Sequence, residues 1–389
     1  MRFADQTSVM QHAHDLAIQG QGLVEPNPLV GAVLVDESLT LLGAGWHRLF
    51  GEAHAEVEAI RDAEAQGNRD RLKTATLYVS LEPCCHVGKT PPCTQAILAA
   101  GIGKVVVGRT DPSPHANGAG IAELRAAGVQ VEVGLLEAEA KRLTSPFAKR
   151  IATGMPWVIA KWAMSWDGKI ATSSGDSKWI SNEASRAVAH HLRGRMDAII
   201  VGAETVRRDD PHLTARPAGP RTATRVVLDS IASVKPDSQL VQSIAEAPLL
   251  IIAGPDTPAE NEARLKAAGV EVCILRSSEI ETPVASAKDL KRIRPADPRE
   301  ALLELGRRGM TNVLIEGGGT LLGSFADQRL IDEVHVFIAA KLIGGQAAPS
   351  PLSGQGVGTI TEALLLEEVQ FEAHDSDLQL QGIIAGHRW

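Results

Sequence analysis

Long apolar runs are missing from this chain. The longest are strand-sized, such as Ala198-Ile199-Ile200-Val201, and none approaches the ~18 apolar residues of a membrane span. The N-terminal Met1-Arg2-Phe3-Ala4-Asp5-Gln6 has no apolar signal core, so a cytoplasmic location and no membrane partner are expected. Cations are not in excess: 39 Lys and Arg face 47 Asp and Glu, for a net charge of −8. This disfavours nucleic acid as a main partner, because phosphate neutralisation needs a clustered surplus of Lys and Arg. Cysteine is scarce. There are 4, at Cys84, Cys85, Cys93 and Cys273. Three fall close together with His86 among them, which in a cytosolic chain reads as metal binding before disulfide. No internal repeat, low-complexity tract or G-x-G-x-x-G fingerprint is present.

The 389 residues, 44% hydrophobic and 22% charged, suit a globular protein of two or three domains. Helix and strand signals alternate over the first ~140 residues, a domain-sized α/β sandwich pattern. A helical pattern covers about 8–18, and strand runs cover 29–35 and 40–46. A helix over 53–65 carries His54 and Glu56 in its first turn. A strand follows over 76–81, a helix opens at Cys93, and strands over 104–108 and 129–133 flank a helix over 120–127. Pro146, Gly154 and Pro156 bracket a basic stretch that reads as a linker between domains at 1–148 and 155–389. Beyond it, strand runs over 157–163, 198–202, 224–228, 249–253, 270–275, 312–316 and 333–340 alternate with helical patterns, which predicts a largely parallel sheet. A helix over 298–307 has Pro at its first position. A last strand covers 378–384, and 277–297 is polar and reads as a loop.

His54-Ala55-Glu56, Glu82-Pro83-Cys84 and Pro91-Pro92-Cys93 form a split cluster. One imidazole and two thiols make three ligands, which leave a fourth tetrahedral position open for water, as in catalytic zinc sites. The H-x-E plus P-C…C pattern is the signature of zinc deaminases, in which the Glu shuttles protons and does not ligate. His54, Cys84 and Cys93 are the expected metal ligands, for one Zn²⁺ per chain. Glu56 is the expected catalytic group, taking a proton from the activated water and passing it to departing ammonia. Cys84 rather than Cys85 is chosen because it directly follows Pro83. Cys273 lies in a strand run and reads as core. The usual spacing is P-C-x-x-C; here Cys85 to Pro92 intervene, and that loop carries His86 and Lys89, suited to a phosphate or a polar ring.

In the second half, Glu316-Gly317-Gly318-Gly319-Thr320 follows a strand and opens an apolar helical run. Glycines there let backbone amides approach a phosphate at a helix N-terminus, although a plain tight turn has the same appearance.

The stretches Pro26-Asn27-Pro28-Leu29-Val30-Gly31, His54-Ala55-Glu56 and Leu81 through Cys93 resemble the bacterial bifunctional riboflavin biosynthesis proteins, in which a pyrimidine deaminase is fused to a pyrimidine reductase. Met164-Ser165-Trp166-Asp167-Gly168-Lys169, Ser177-Lys178-Trp179-Ile180-Ser181, Asp209-Asp210-Pro211-His212-Leu213-Thr214 and Glu316–Thr320 are similar to its reductase half. The likeness spans roughly 8–230 and 298–385 and is poor over 231–297, and Trp166 stands where small or aliphatic residues are common. The resemblance implies a cytidine-deaminase-like α/β/α domain followed by a dihydrofolate-reductase-like α/β domain. It implies deamination of a diaminopyrimidinone ribosyl 5′-phosphate, then NADPH-dependent reduction of the ribosyl chain to ribityl. Asn27, His47, His86 and Lys89 would contact the first substrate. Ala163, Trp179, Thr205, Asp209, Gly318, Gly319 and Thr320 would line the NADPH site. Ser177, Arg193, Leu213, Arg216 and Glu316 would hold the second substrate, and the guanidinium forks of Arg193 and Arg216 suit its phosphate. Asp167 is either a polar group near the reacting ribose or a turn residue before Gly168. The partners are then small phosphorylated pyrimidines, and a homo-oligomer is expected. A zinc nucleoside or tRNA deaminase with an unrelated appended domain is the alternative; the acidic charge and the long cysteine spacing argue against it. A non-catalytic zinc module is disfavoured by the three-ligand count and by Glu56.

Overall fold

Two sheets organise the chain. The structure, a computed structural model, describes residues 1–86, 88–89, 91–114, 116–275, 294–387 and 389. It divides into two compact units, Met1–Gly154 together with the C-terminal Trp389, and Met155–His387.

The first unit runs α1 (Gln6–Ile18), β1 (Gly31–Val35), β2 (Leu41–Trp46), α2 (Ala55–Ala65), β3 (Thr76–Leu81), α3 (Cys93–Ala99), β4 (Lys104–Arg109), α4 (Ala119–Ala126), β5 (Gln130–Val133) and α5 (Glu137–Thr153). Its sheet has the order β2-β1-β3-β4-β5. The first three strands pair antiparallel and the last three parallel. Strand alternation divides the side chains between two cores. Ala32, Leu34, Leu77, Val79, Val105 and Val107 pack with residues of α2, α3 and α4. Val33, Val35, Tyr78 and Val106 pack with Val9, Met10 and Ala13 of α1. Both faces are covered, so the strands read as nearly continuous apolar runs.

Two local expectations are corrected here. His54 is not in the first turn of α2 but is its N-cap, with extended backbone (φ −76°, ψ 166°). Its ring therefore projects past the end of the helix. The stretch after Pro146 is not a linker: Pro146 lies inside α5, which continues to Thr153 and stops at Gly154 in the left-handed region (φ 73°). A mid-helix proline costs about 3 kcal/mol. The burial of Ala140, Thr144, Ser145, Ala148 and Lys149 along one side of α5 offsets it.

The second unit runs β6 (Trp157–Ser165), α6 (Glu183–Arg193), β7 (Ala198–Gly202), α7 (Ala203–Asp209), β8 (Thr224–Leu228), α8 (Gln239–Gln242), β9 (Leu249–Ala253), α9 (Ala259–Ala267), β10 (Glu271–Ile274), α10 (Pro298–Arg307), β11 (Asn312–Glu316), α11 (Gly319–Asp327), β12 (Glu333–Ala339), β13 (Leu366–His374) and β14 (Asp377–Ile384). The sheet order is β10-β9-β8-β7-β11-β6-β12-β14-β13. It is parallel from β10 to β12, and β14 and β13 close it antiparallel. Strand β13 escapes sequence reading because most of its residues are exposed, so no buried face marks it. The region read as strands and loops over 231–297 also contains α8 and α9. Most of the loop expected over 277–297 lies outside the described residues. Ala160, Ile200, Val226, Ile252, Ile315 and Phe325 centre the core. Among the described residues no helix is long and apolar enough to cross a membrane.

Candidate active sites

Three element ends converge in the first unit. His54 caps α2, Cys84 follows β3 by way of Pro83, and Cys93 opens α3. His54 Nδ1 lies 3.5 Å from Cys84 Sγ and 3.3 Å from Cys93 Sγ, and the three donor atoms lie within 4.8 Å of one another. A zinc tetrahedron built on these ligand types has edges of roughly 3.5–3.8 Å, so the donors fit that ion. The Cys93 backbone amide also donates to Cys84 Sγ at 3.4 Å. Hydrogen bonding from Cys93, with further help from His54, holds the Cys84 thiol down at about 4. Cys85 is half-buried and stands outside the set. Cys273 is half-buried in β10 against the second unit's core.

Glu56, in the first turn of α2, is 3% exposed, and its Oε2 has no hydrogen-bond partner. Burial pushes its carboxyl up. An unpartnered buried carboxylate oxygen is costly unless something polar completes it. His47 packs edge-on to His54, ring centres 5.1 Å apart. Its Nε2 lies 3.2 Å from Asn27 Nδ2 and its Nδ1 3.1 Å from the Ala53 carbonyl. An amide nitrogen can only donate, so Nε2 accepts and Nδ1 donates. His86 and Lys89 are exposed, and Lys89 Nζ stands 3.8 Å above the centre of the Phe50 ring. Phe50 carries no signal in the sequence, and the buried Glu82, part of the Glu82-Pro83-Cys84 stretch, has no role assigned to it there.

The second unit holds a cavity of about 590 Å³. Ala163, Trp179, Thr205, Asp209 and Gly318 line it, as do Ser177, Arg193, Leu213, Arg216 and Glu316. Gly319 and Thr320 do not; they begin α11. Gly317 (φ 76°) and Gly318 (φ 71°) occupy the left-handed region, where a side chain is disfavoured. A Cβ on Gly318 would also lie 3.2 Å from Thr205 Oγ1. Glu316, Gly317 and Gly318 thus form a turn on the cavity wall whose backbone calls for glycine at two successive positions.

Arg193 is not a free phosphate ligand. Its Nε and Nη2 each bind a Glu316 carboxylate oxygen at 2.6 Å. Burial drives the Glu316 carboxyl up, but the Arg193 charge and hydrogen bonds, with Lys161, outweigh it and hold Glu316 at about 2. Arg216 is exposed, with Nη1 on Thr214 Oγ1. Lys161, His190 and Arg186 also line the cavity; burial pushes the Lys161 amine down. Lys161 is hidden in sequence because it interrupts the apolar run of β6. Asp167 is a turn anchor outside the cavity lining: it accepts from Ser165 Oγ (2.6 Å) and from the amides of Ile343 (3.0 Å) and Gly344 (2.7 Å).

Comparison with known proteins places both halves. Residues 4–109 match the cytidine and deoxycytidylate deaminase zinc-binding region, and residues 156–380 match the RibD C-terminal domain. The riboflavin biosynthesis protein RibD of Bacillus amyloliquefaciens is 39% identical over 375 residues, covering 96% of this chain and 95% of that protein. The chain belongs to the RibD family. The RibD of Aquifex aeolicus (strain VF5) is 39% identical over 372 residues, covering 95% and 96%. Among solved structures, Acinetobacter baumannii RibD, form 1, superposes with a TM-score of 0.79 at 33% identity, covering 97% of this chain and 98% of that one. A diaminohydroxyphosphoribosylaminopyrimidine deaminase/5-amino-6-(5-phosphoribosylamino)uracil reductase from Thermotoga maritima does so with a TM-score of 0.78 at 32% identity, over 97% and 98%. The chain is accordingly a bifunctional RibD deaminase and reductase of riboflavin biosynthesis. Its deaminase domain comes first and its reductase domain second. The alternative of an unrelated appendage fails, because RibD relatives match along nearly the whole chain.

Proposed function

We propose that the first unit hydrolyses an amino group from a diaminopyrimidinone ribosyl 5′-phosphate, and that the second reduces the ribosyl chain to ribityl with NADPH. The observation that carries this reading is the unpartnered, buried Oε2 of Glu56 beside one imidazole and two thiol donors. His54, Cys84 and Cys93 hold the zinc. When bound, zinc brings the pKa of a coordinated water to about 7. Glu56 accepts a proton at Oε2 and returns it to the departing ammonia. The Asn27–His47 pair is locked in one donor–acceptor sense and keeps the second Asn27 amide hydrogen for the pyrimidine edge. His86 and Lys89 meet the 5′-phosphate from the exposed loop.

In the second unit Ala163, Trp179, Thr205, Asp209, Gly318, Gly319 and Thr320 hold NADPH. The left-handed glycines keep side chains out of the approach, and the first turn of α11 offers amide groups to a phosphate. NADPH supplies the reducing equivalents. Arg216 offers its fork to the substrate phosphate, with Ser177 and Leu213 beside it. Arg193 keeps Glu316 ionised, so Glu316 accepts hydrogen bonds from the substrate.

We also infer self-association through the second unit. Residues 342–361 contain no Asp, Glu, Lys or Arg, yet Leu342 is 79% and Ile360 89% exposed. Interface cores are depleted of charge, and an uncharged surface can meet its own copy without repulsion. Light scattering tests this inference.

The test of the main reading is incubation of the purified protein with the diaminopyrimidinone substrate, with and without NADPH. Ammonia release should not need NADPH, and NADPH oxidation should follow in equal amount. Absence of ammonia would overturn the reading.

A further inference from the structure

Glu82 ends the path from β3 to the zinc ligand Cys84, and it is 4% exposed. Its Oε2 accepts the backbone amides of Asp111 (3.0 Å) and Gly118 (2.9 Å). Its Oε1 accepts those of Gly120 (2.9 Å) and Ile121 (3.3 Å). Its own amide donates to the Arg109 carbonyl at 2.9 Å. One buried carboxylate thus gathers the segment after β4 and the first turn of α4, where the helix dipole also favours an anion.

We propose that Glu82 is a positioning residue for Cys84, setting where that thiolate stands relative to His54 and Cys93. The inference rests on the reading of those three residues as the zinc ligands. A single residue, Pro83, separates Glu82 from Cys84, and proline fixes φ, so a displaced Glu82 carries Cys84 with it. The backbone of Pro83 is wedged as well: a Cβ on Gly120 would lie 2.1 Å from the Pro83 carbonyl oxygen. On the far side the Cys84 carbonyl accepts the Thr94 amide at 3.2 Å. Cys84 is therefore held from both α4 and α3. The clamp requires a carboxylate. Glutamine offers one acceptor oxygen and turns an NH₂ group toward amides that can only donate.

The full-length protein decides the matter when loaded with Zn²⁺ in competition with a chromophoric chelator, and with Co²⁺ for its visible spectrum. Glu82→Gln should bind zinc about 10–100-fold more weakly, the usual effect of removing an outer support, and should shift the cobalt–thiolate bands. Gly120→Ala should give the same signature by crowding Pro83 and Glu82 from α4, although alanine favours the helix itself. A purely structural role would lower the melting temperature and leave the affinity and cobalt spectrum of the folded protein unchanged. Wild-type values in both variants overturn the proposal; if Glu82→Gln does not fold, Gly120→Ala decides alone. Cys84→Ser separates the premise: if it binds zinc as tightly as the wild type, the ligand reading fails, whatever Glu82 does.

Discussion

Arg193 and Glu316, 123 positions apart, meet through two parallel hydrogen bonds of 2.6 Å on the wall of the reductase cavity. The pair joins the end of α6 to the end of β11. It leaves Glu316 ionised although it is 6% exposed.

Acid should weaken the reductase unit through this pair. Glu316 is lowered from 4.5 to about 2. A depressed carboxyl stabilises the fold above its unfolded pKa, and that stability is lost as pH falls through the folded value. The window is thus about pH 4.5 down to 2, worth about 3 kcal/mol in all. Trp157, Trp162, Trp166 and Trp179 report this unit's unfolding by fluorescence. Glu316→Gln should cost about 3–5 kcal/mol at neutral pH by leaving Arg193 buried and unpaired, and should flatten the acid dependence. An unchanged slope would show that the pair contributes nothing there.

Glu56→Ala should keep zinc and lose deamination by about 10²–10⁴-fold, with NADPH oxidation on the deaminated intermediate intact. Metal analysis beside an ammonia assay checks it. Loss of zinc would contradict a proton-transfer role.

Cys84→Ser and Cys93→Ser should each lose zinc and deamination, because thiolates supply two of the three ligands. Cys85→Ser should retain both, since Cys85 stands outside the donor set. Zinc content per chain is the measurement, and a metal-free Cys85→Ser protein would reverse the assignment.

Gly318→Val should raise the KM for NADPH and spare ammonia release. A branched side chain at φ 71° is strained and would crowd Thr205. Two-substrate kinetics distinguish the outcomes; an unchanged cofactor KM would place NADPH elsewhere.

A fragment ending at Gly154 should fold, bind zinc and deaminate without oxidising NADPH. One ending at Ala148 should be less stable, because it removes the end of α5, including the buried Lys149. Thermal melts of the two fragments give the comparison. A folded, zinc-loaded but inactive longer fragment would show that deamination needs residues beyond it.

What the sequence determined by itself was local or chemical. Strand runs such as 198–202 and 312–316 are apolar enough to appear without tertiary context. The helix at 298–307 is announced by its proline; the structure adds Asp297 as its N-cap, whose side chain accepts the Arg299 and Glu300 amides. The zinc ligand types are legible because few side chains bind that ion and their spacing is distinctive. The tertiary structure alone decided the rest. It kept Pro146 inside a helix, because packing of one face outweighs local propensity. It made a strand of the exposed β13 by pairing with β14, a contact that no periodicity encodes. It paired Arg193 with Glu316 on the cavity wall, and it gave Glu82 four amides from a segment 29 to 39 residues away. These outcomes depend on which groups meet across long loops. Burial then forces each charge or amide that arrives to find a partner.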